Sequence, residues 1–226
     1  MSARRAAPRR GRRALFGACF LASGAALLVS ITWDVSLAAT GVIFLVLALA
    51  TAARLRAVSS SAERGQLREA VAVGAMAGVA ATAAYDLTRL ALVEGLGLAL
   101  WPFDTFALFG RALVGAEHSG AWVTALGTAY HVTNGLGFAI AYTIWLGNRG
   151  PVAGLLWALV LEAAMLTSYP GWLDIRSYEE FIEVSVLGHV AYGLTLGLLA
   201  QRLLRRRRLS ALRSRLGGAS TGEATD

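Results

Sequence analysis

Tyr130-His131-Val132-Thr133-Asn134-Gly135-Leu136 lies inside a long apolar segment, and a variant of it returns as Gly188-His189-Val190-Ala191-Tyr192-Gly193-Leu194. The shared pattern is H-V-x-x-G-L. Imidazole is costly in hydrocarbon, so two in register inside apolar segments point to a common task. The surrounding composition says that the segments are membranous. The chain of 226 residues is 56% hydrophobic and 15% charged, with a mean hydropathy of +0.57. A soluble domain carries about 25% charged residues. Apolar runs of about 20 residues recur, long enough to cross a bilayer. The expected fold is therefore all-α: a polytopic membrane protein of about six transmembrane helices, with a duplicated helix-pair bundle.

The net charge is +7, and all 21 basic residues are Arg. That choice of base reads as a high-GC genome. The Arg residues sit in tails and short loops, which argues for the positive-inside rule and against a nucleic-acid partner. The single Cys19 forms no intramolecular disulfide and reads as a small packed residue.

Residues 1–13 are expected to form a basic cytoplasmic tail. Residues 14–68 follow as an accessory hairpin with an inner loop: a first span from Ala14 to about Trp33, a turn at Asp34, a second span to about Ala53, then Arg54, Arg56, Arg64 and Arg68. A basic start before an apolar core also fits a signal peptide. The run is long enough to span, so a retained helix is expected. Residues 69–201 form the four-helix bundle, with Asp86 in the third span, His131 in the fourth, Glu162 in the fifth and His189 in the sixth. Residues 96–120 are aromatic but broken by Pro102, Asp104, Arg111, Glu117 and His118, and are expected to lie on the outer surface or re-enter. Residues 202–226 are expected to be an Arg-rich cytoplasmic tail, disordered from Gly217 onward. Leu209, Leu212 and Leu216 fall at helical spacing among these Arg residues and fit an interfacial helix on anionic lipid headgroups.

Six spans put both termini in the cytoplasm, in agreement with the Arg balance. The expected location is a bacterial inner membrane, with the lipid bilayer as partner. A homo-oligomer is compatible with it.

Each His helix is preceded by an acid helix. Ala77-Gly78 precedes Asp86 by the same count as Ala153-Gly154 precedes Glu162. The unit reads A-G-x7-acid, outer connection, H-V-x-x-G-L, a parallel repeat. At about 1.5 Å per residue, His131 lies roughly 15 Å and His189 roughly 12 Å from the outer end of its span, and both acids roughly 10 Å. The four are expected in one layer of the outer half of the membrane, clustered in one pocket. Unpaired, each would be destabilised by about 2 kcal/mol or more. Thr124, Thr128, His131 and Asn134 form one polar stripe, and Ser185, His189 and Tyr192 another. Gly135 and Gly193 clear space beside each imidazole.

Several functions fit these residues. Asp86, His131, Glu162 and His189 suit a divalent transition metal, or a proton relay. The same pocket, roofed by Trp101, Phe103 and Trp172, suits an enzyme acting on a lipid or isoprenoid, with Asp86 or Glu162 as general acid and His131 or His189 as base. Two axial His residues suit a b-type haem, although nearby carboxylates count against it. The plain architectural alternative is that the acids and imidazoles pair to fix helix register, with Asp86 on Arg89 one turn away.

From about residue 72 to 201 the chain also resembles a group of uncharacterised bacterial four-helix integral membrane proteins with an A-G-rich first helix and two H-x-x-[aromatic]-G helices. The matching strings are Gly78-Val79-Ala80-Ala81-Thr82, His131 to Gly135, and His189 to Gly193 with Leu196-Gly197. Asn134 departs from the aromatic of that pattern. The resemblance implies a fold and a membrane location, and no activity.

Overall fold

The computed structural model describes residues 3–168 and 178–220, and all of its regular elements are helical. The first apolar run forms α1 (Ala3–Ala18), a 3-10 turn (Cys19–Leu21) and α2 (Ala22–Trp33). Asp34 turns the chain with φ 51°. Ser36 then caps α3 (Leu37–Val58), its hydroxyl accepting from the Ala39 amide at 3.3 Å.

α4 (Ser61–Leu96) starts at a capping box. Ser60 Oγ accepts from the Glu63 amide, and Glu63 Oε2 accepts from the Ser60 amide. It ends at Gly97, whose φ of 63° closes a left-handed cap. α5 (Asp104–Val114) precedes α6 (Ala121–Leu146), and a tight turn at Gly150 leads into α7 (Pro151–Ser168). α8 runs from Tyr178 to Ser220.

Five stretches among the described residues are long and apolar enough to cross a membrane: 10–33, 37–58, 61–96, 151–168 and 180–210. Their outward faces agree. On α3, Val42, Ile43, Leu45, Val46, Leu47 and Leu49 are each more than half exposed. On α7, Val152, Leu156 and Val160 form an exposed stripe one turn apart. Such patches are unfavourable in water and suited to lipid. The chain is a membrane-embedded helical protein. α6 has the length of a span, but Thr124, Thr128, His131, Thr133 and Asn134 lower its apolarity. It is sheltered by neighbours instead, packing on α1, α2, α4 and α5.

The bundle is a row in which α4 packs between α6 and α8, and α7 packs on α8. Its core is Val73, Ala77, Ala81, Tyr85, Ala139, Tyr142, Ala158, Tyr192, Leu196, Ala200 and Leu204. Small residues bring the backbones close. A Cβ at Gly78 would meet the Ala139 Cβ at 2.8 Å, and one at Gly193 would meet the Gly154 carbonyl oxygen at 2.6 Å. α2, α3 and α5 share a second core around Ala26, Leu27, Leu37 and Phe109.

Three boundaries depart from the sequence reading. The inner loop shrinks to Ser59 and Ser60, because Arg64 and Arg68 belong to α4. The basic start is helical from Ala3, with Arg12 paired to Glu63 at 3.0 Å. Residues Gly217 to Ser220, expected to be disordered, end α8, while 221–226 lie outside the described residues. Arg is a good helix former, and extending an existing helix needs no new nucleus. Residues 96–120 hold α5, whose 11 residues span only about 16 Å, too little to cross.

Candidate functional site

Each acid meets the imidazole of the next His helix. Asp86, on α4, faces His131 on α6, whose Nε2 lies 3.2 Å from both carboxylate oxygens. Glu162, on α7, holds His189 on α8, with Nδ1 2.8 Å from Oε2. The same Nδ1 lies 3.0 Å from the Ser185 carbonyl, and Ser185 Oγ donates to Glu162 Oε2 at 3.2 Å. Asp86 therefore does not pair with Arg89.

The neighbours assign the protons. Nδ1 of His189 sees only acceptors, so it carries hydrogen and leaves Nε2 as the basic nitrogen of the neutral ring. His131 is reversed: Nε2 carries the hydrogen and Nδ1 is left basic. The two pairs thus present opposite ring nitrogens.

Tyr85, on α4, separates them, its ring centroid 5.7 Å from His131 and 4.9 Å from His189. The expected single cluster of four is two pairs with a phenol ring between. Among the described residues no three His, Cys, Asp or Glu side chains come together as a metal ion would need. Tyr85, in contact with both imidazoles, brings the two pairs to neighbouring positions in the bundle. Gly193, meant to clear space beside His189, is filled by α7. Gly135 lies against Thr82 of α4 and also borders a cavity.

That cavity, of about 90 Å³, is lined by Thr82, Tyr85, Arg89, His131, Asn134 and His189, with Phe109, Phe138, Met165 and Phe181 on its apolar side. Both imidazoles border it, and their carboxylates stand behind them. A ladder of rings leads to it from α5 and the segment before it: Trp101 to Phe103 at 5.5 Å, Phe103 to Phe106 at 5.2 Å, Phe106 to His131 at 4.8 Å. Of the expected roof, Trp101 and Phe103 do not line the cavity and connect to it only through Phe106 and His131; Trp172 lies outside the described residues.

Arg89 is 2% exposed. It donates through Nη2 to the Pro102 carbonyl and lies over the Tyr85 ring at 5.0 Å. Its Nε has no acceptor among the described residues; Thr82 Oγ1, Asn134 Oδ1, Asp86 Oδ1 and Glu162 Oε1 likewise have no hydrogen bond. Five such atoms lie at the cavity or on the carboxylates behind its imidazoles; Arg12 Nε, Trp157 Nε1 and Glu180 Oε2 are the others among the described residues.

Of the polar stripes, His131, Asn134, His189 and Tyr192 border the cavity. Thr128 instead donates to the Thr124 carbonyl of its own helix at 2.8 Å. Tyr192 Oη donates to the Gly135 carbonyl at 2.7 Å, tying the two His helices together. Sequence reasoning missed Thr82 and Tyr85, and treated Arg89 only as a partner for Asp86. The signal was present: Gly78, Thr82, Tyr85 and Arg89 fall at i, i+4, i+7 and i+11, one face of α4.

Fold and site together define a membrane-embedded helical protein with two carboxylate–imidazole pairs on a shared cavity. No protein-family model, curated protein or solved structure matches the chain.

Proposed function

We propose that this is a six-span protein of the bacterial inner membrane whose two carboxylate–imidazole pairs move protons in exchange with a solute in the cavity between them. α6 is the remaining crossing, fourth in chain order, and its polar residues are tolerated because neighbouring helices cover them. Both termini are cytoplasmic. The four helices α4, α6, α7 and α8 are two copies of an acid-helix and His-helix unit, kin to the uncharacterised four-helix proteins that residues 72–201 resemble. At the cytoplasmic end, Arg10, Arg13, Arg149 and Arg208 line a depression of about 660 Å³ suited to anionic lipid headgroups.

The observation that carries the reading is that both imidazoles border one cavity, each with a carboxylate behind it and one ring nitrogen unused. Such an imidazole can accept a proton on the cavity side while its carboxylate stabilises the cation. A divalent metal on the same four residues is the competing reading. Protons are favoured because, among the described residues, no third ligating side chain joins either pair.

The test is reconstitution into liposomes with an internal pH dye. With small organic and inorganic solutes supplied on both sides, the native protein should discharge an imposed pH gradient. His131→Gln with His189→Gln should slow that at least tenfold, and Glu117→Gln, at an exposed pair with His118, should not. Equal rates in native and double-variant protein would refute the reading. Stoichiometric metal on elemental analysis, or a haem absorption band, would replace it.

A further inference from the structure

We infer that the cavity binds a small oxyanion group, a carboxylate or a phosphate, with Arg89 as its counter-cation. The inference rests on the cavity being a working solute site, as proposed above, and adds the chemistry of the solute. The cavity-facing charge with no acid partner among the described residues is Arg89. Asp86 and Glu162 are each held by an imidazole and do not line the cavity.

A guanidinium has five N–H donors. Among the described residues Arg89 has one hydrogen bond, to the Pro102 carbonyl, and one ring face, of Tyr85. A cation 2% exposed and so weakly compensated is unfavourable unless an anion completes it. Guanidinium matches planar and tetrahedral oxyanions through paired N–H groups.

The surroundings fit. Thr82 Oγ1 is an unused hydroxyl that can donate to an anion. The imidazoles of His131 and His189 supply further donors when protonated. About 90 Å³ holds a few waters or one small polyatomic group, and no whole lipid. Phe109, Phe138, Met165 and Phe181 would meet whatever apolar part the anion carries. The group belongs either to a free solute anion or to a lipid headgroup reaching in.

The experiment uses full-length protein in nonionic detergent, free of phosphate and carboxylates, at one fixed pH. The thermal midpoint is followed against sodium phosphate, sodium acetate and phosphatidylglycerol in mixed micelles. Sodium chloride at matched ionic strength and phosphatidylcholine are the controls. At least one of the three should raise the midpoint saturably. Response to phosphate or acetate alone identifies a free anion, and response to phosphatidylglycerol alone a headgroup. Arg89→Gln should raise the half-saturating concentration at least tenfold, Arg89→Lys less, and Thr82→Val several-fold. Should Arg89→Gln fail to fold, Arg89→Lys and Thr82→Val carry the test.

No saturable response in the native protein overturns the inference, as does an undiminished response in the foldable cavity variants. A lipid response that survives in those variants and disappears in Arg149→Gln with Arg208→Gln places the lipid at the cytoplasmic depression and also overturns it. Proton flux plays no part in this readout. Anion binding without flux refutes only the proton reading, and flux without anion binding refutes only this one.

Discussion

At the level of single residues, the two carboxylates are not equivalent. Glu162 is 2% exposed and accepts from both Ser185 and His189, and Ser185 is fully buried. Removing the carboxylate leaves a buried hydroxyl and a ring N–H facing nothing charged. The Asp86 side chain is 23% exposed and meets only His131. Hydrogen bonds to charged groups contribute about 1.5–3 kcal/mol, and less where solvent reaches them. Glu162→Ala should therefore lower unfolding stability in detergent by about 2–3 kcal/mol, and Asp86→Ala by about 1 kcal/mol. Chemical denaturation followed by tryptophan fluorescence would read both, and the reverse order would show that the Glu162 network is not the stronger one. The identity of the four polar residues could be read from the chain because acids and imidazoles are rare in apolar runs. Arg89 and Tyr85 were harder to value, since an Arg and a Tyr near the end of a span also fit an interfacial anchor.

Among the helices, α7 and α8 meet where Gly154 faces Gly193, closely enough that an added methyl group collides with backbone. Backbone cannot yield as a side chain can. Gly193→Val should weaken the protein by about 1–3 kcal/mol. Gly65, on α4, has open space around its Cβ position, so Gly65→Ala should be neutral or stabilising by up to about 1 kcal/mol. Parallel thermal melts of the two variants separate helix packing from helix propensity. The spans were evident from apolar length. Their ends were not, because Arg-rich flanks are polar enough for a loop and good enough helix formers to extend α4 and α8. The Ser60–Glu63 capping box fixes the start of α4, an S-x-x-E signal that the sequence reading passed over.

For the protein as a whole, the proposed six-span arrangement places the termini together and the connection before α6 opposite them. In a Cys19→Ser background, a cysteine at Ser2 should react with a membrane-impermeant maleimide only after lysis, and one at Ser119 in intact cells. Labelling of Ser2 in intact cells would overturn the cytoplasmic N-terminus, and labelling of both positions would overturn the three crossings between them. The exposed apolar faces of α3 and α7 need lipid around them whatever the orientation.

Composition and the length of the apolar runs decided that this is a helical membrane protein, since a backbone in hydrocarbon must satisfy its own hydrogen bonds. The same runs exposed Asp86, His131, Glu162 and His189 and put them at one depth, because rise along a helix is fixed. Partnership was decided by packing. Helical rotation and the order α6, α4, α8, α7 set Asp86 on His131 rather than on Arg89, and slid Tyr85 between the two pairs. Which face of α4 looks inward depends on glycines at 74 and 78 finding Ile140 and Ala139 on another helix. That is a contact between distant parts of the chain, which one-dimensional periodicity does not encode. The buried Arg89 beside the cavity, without an acid partner among the described residues, follows from the same rotation of α4.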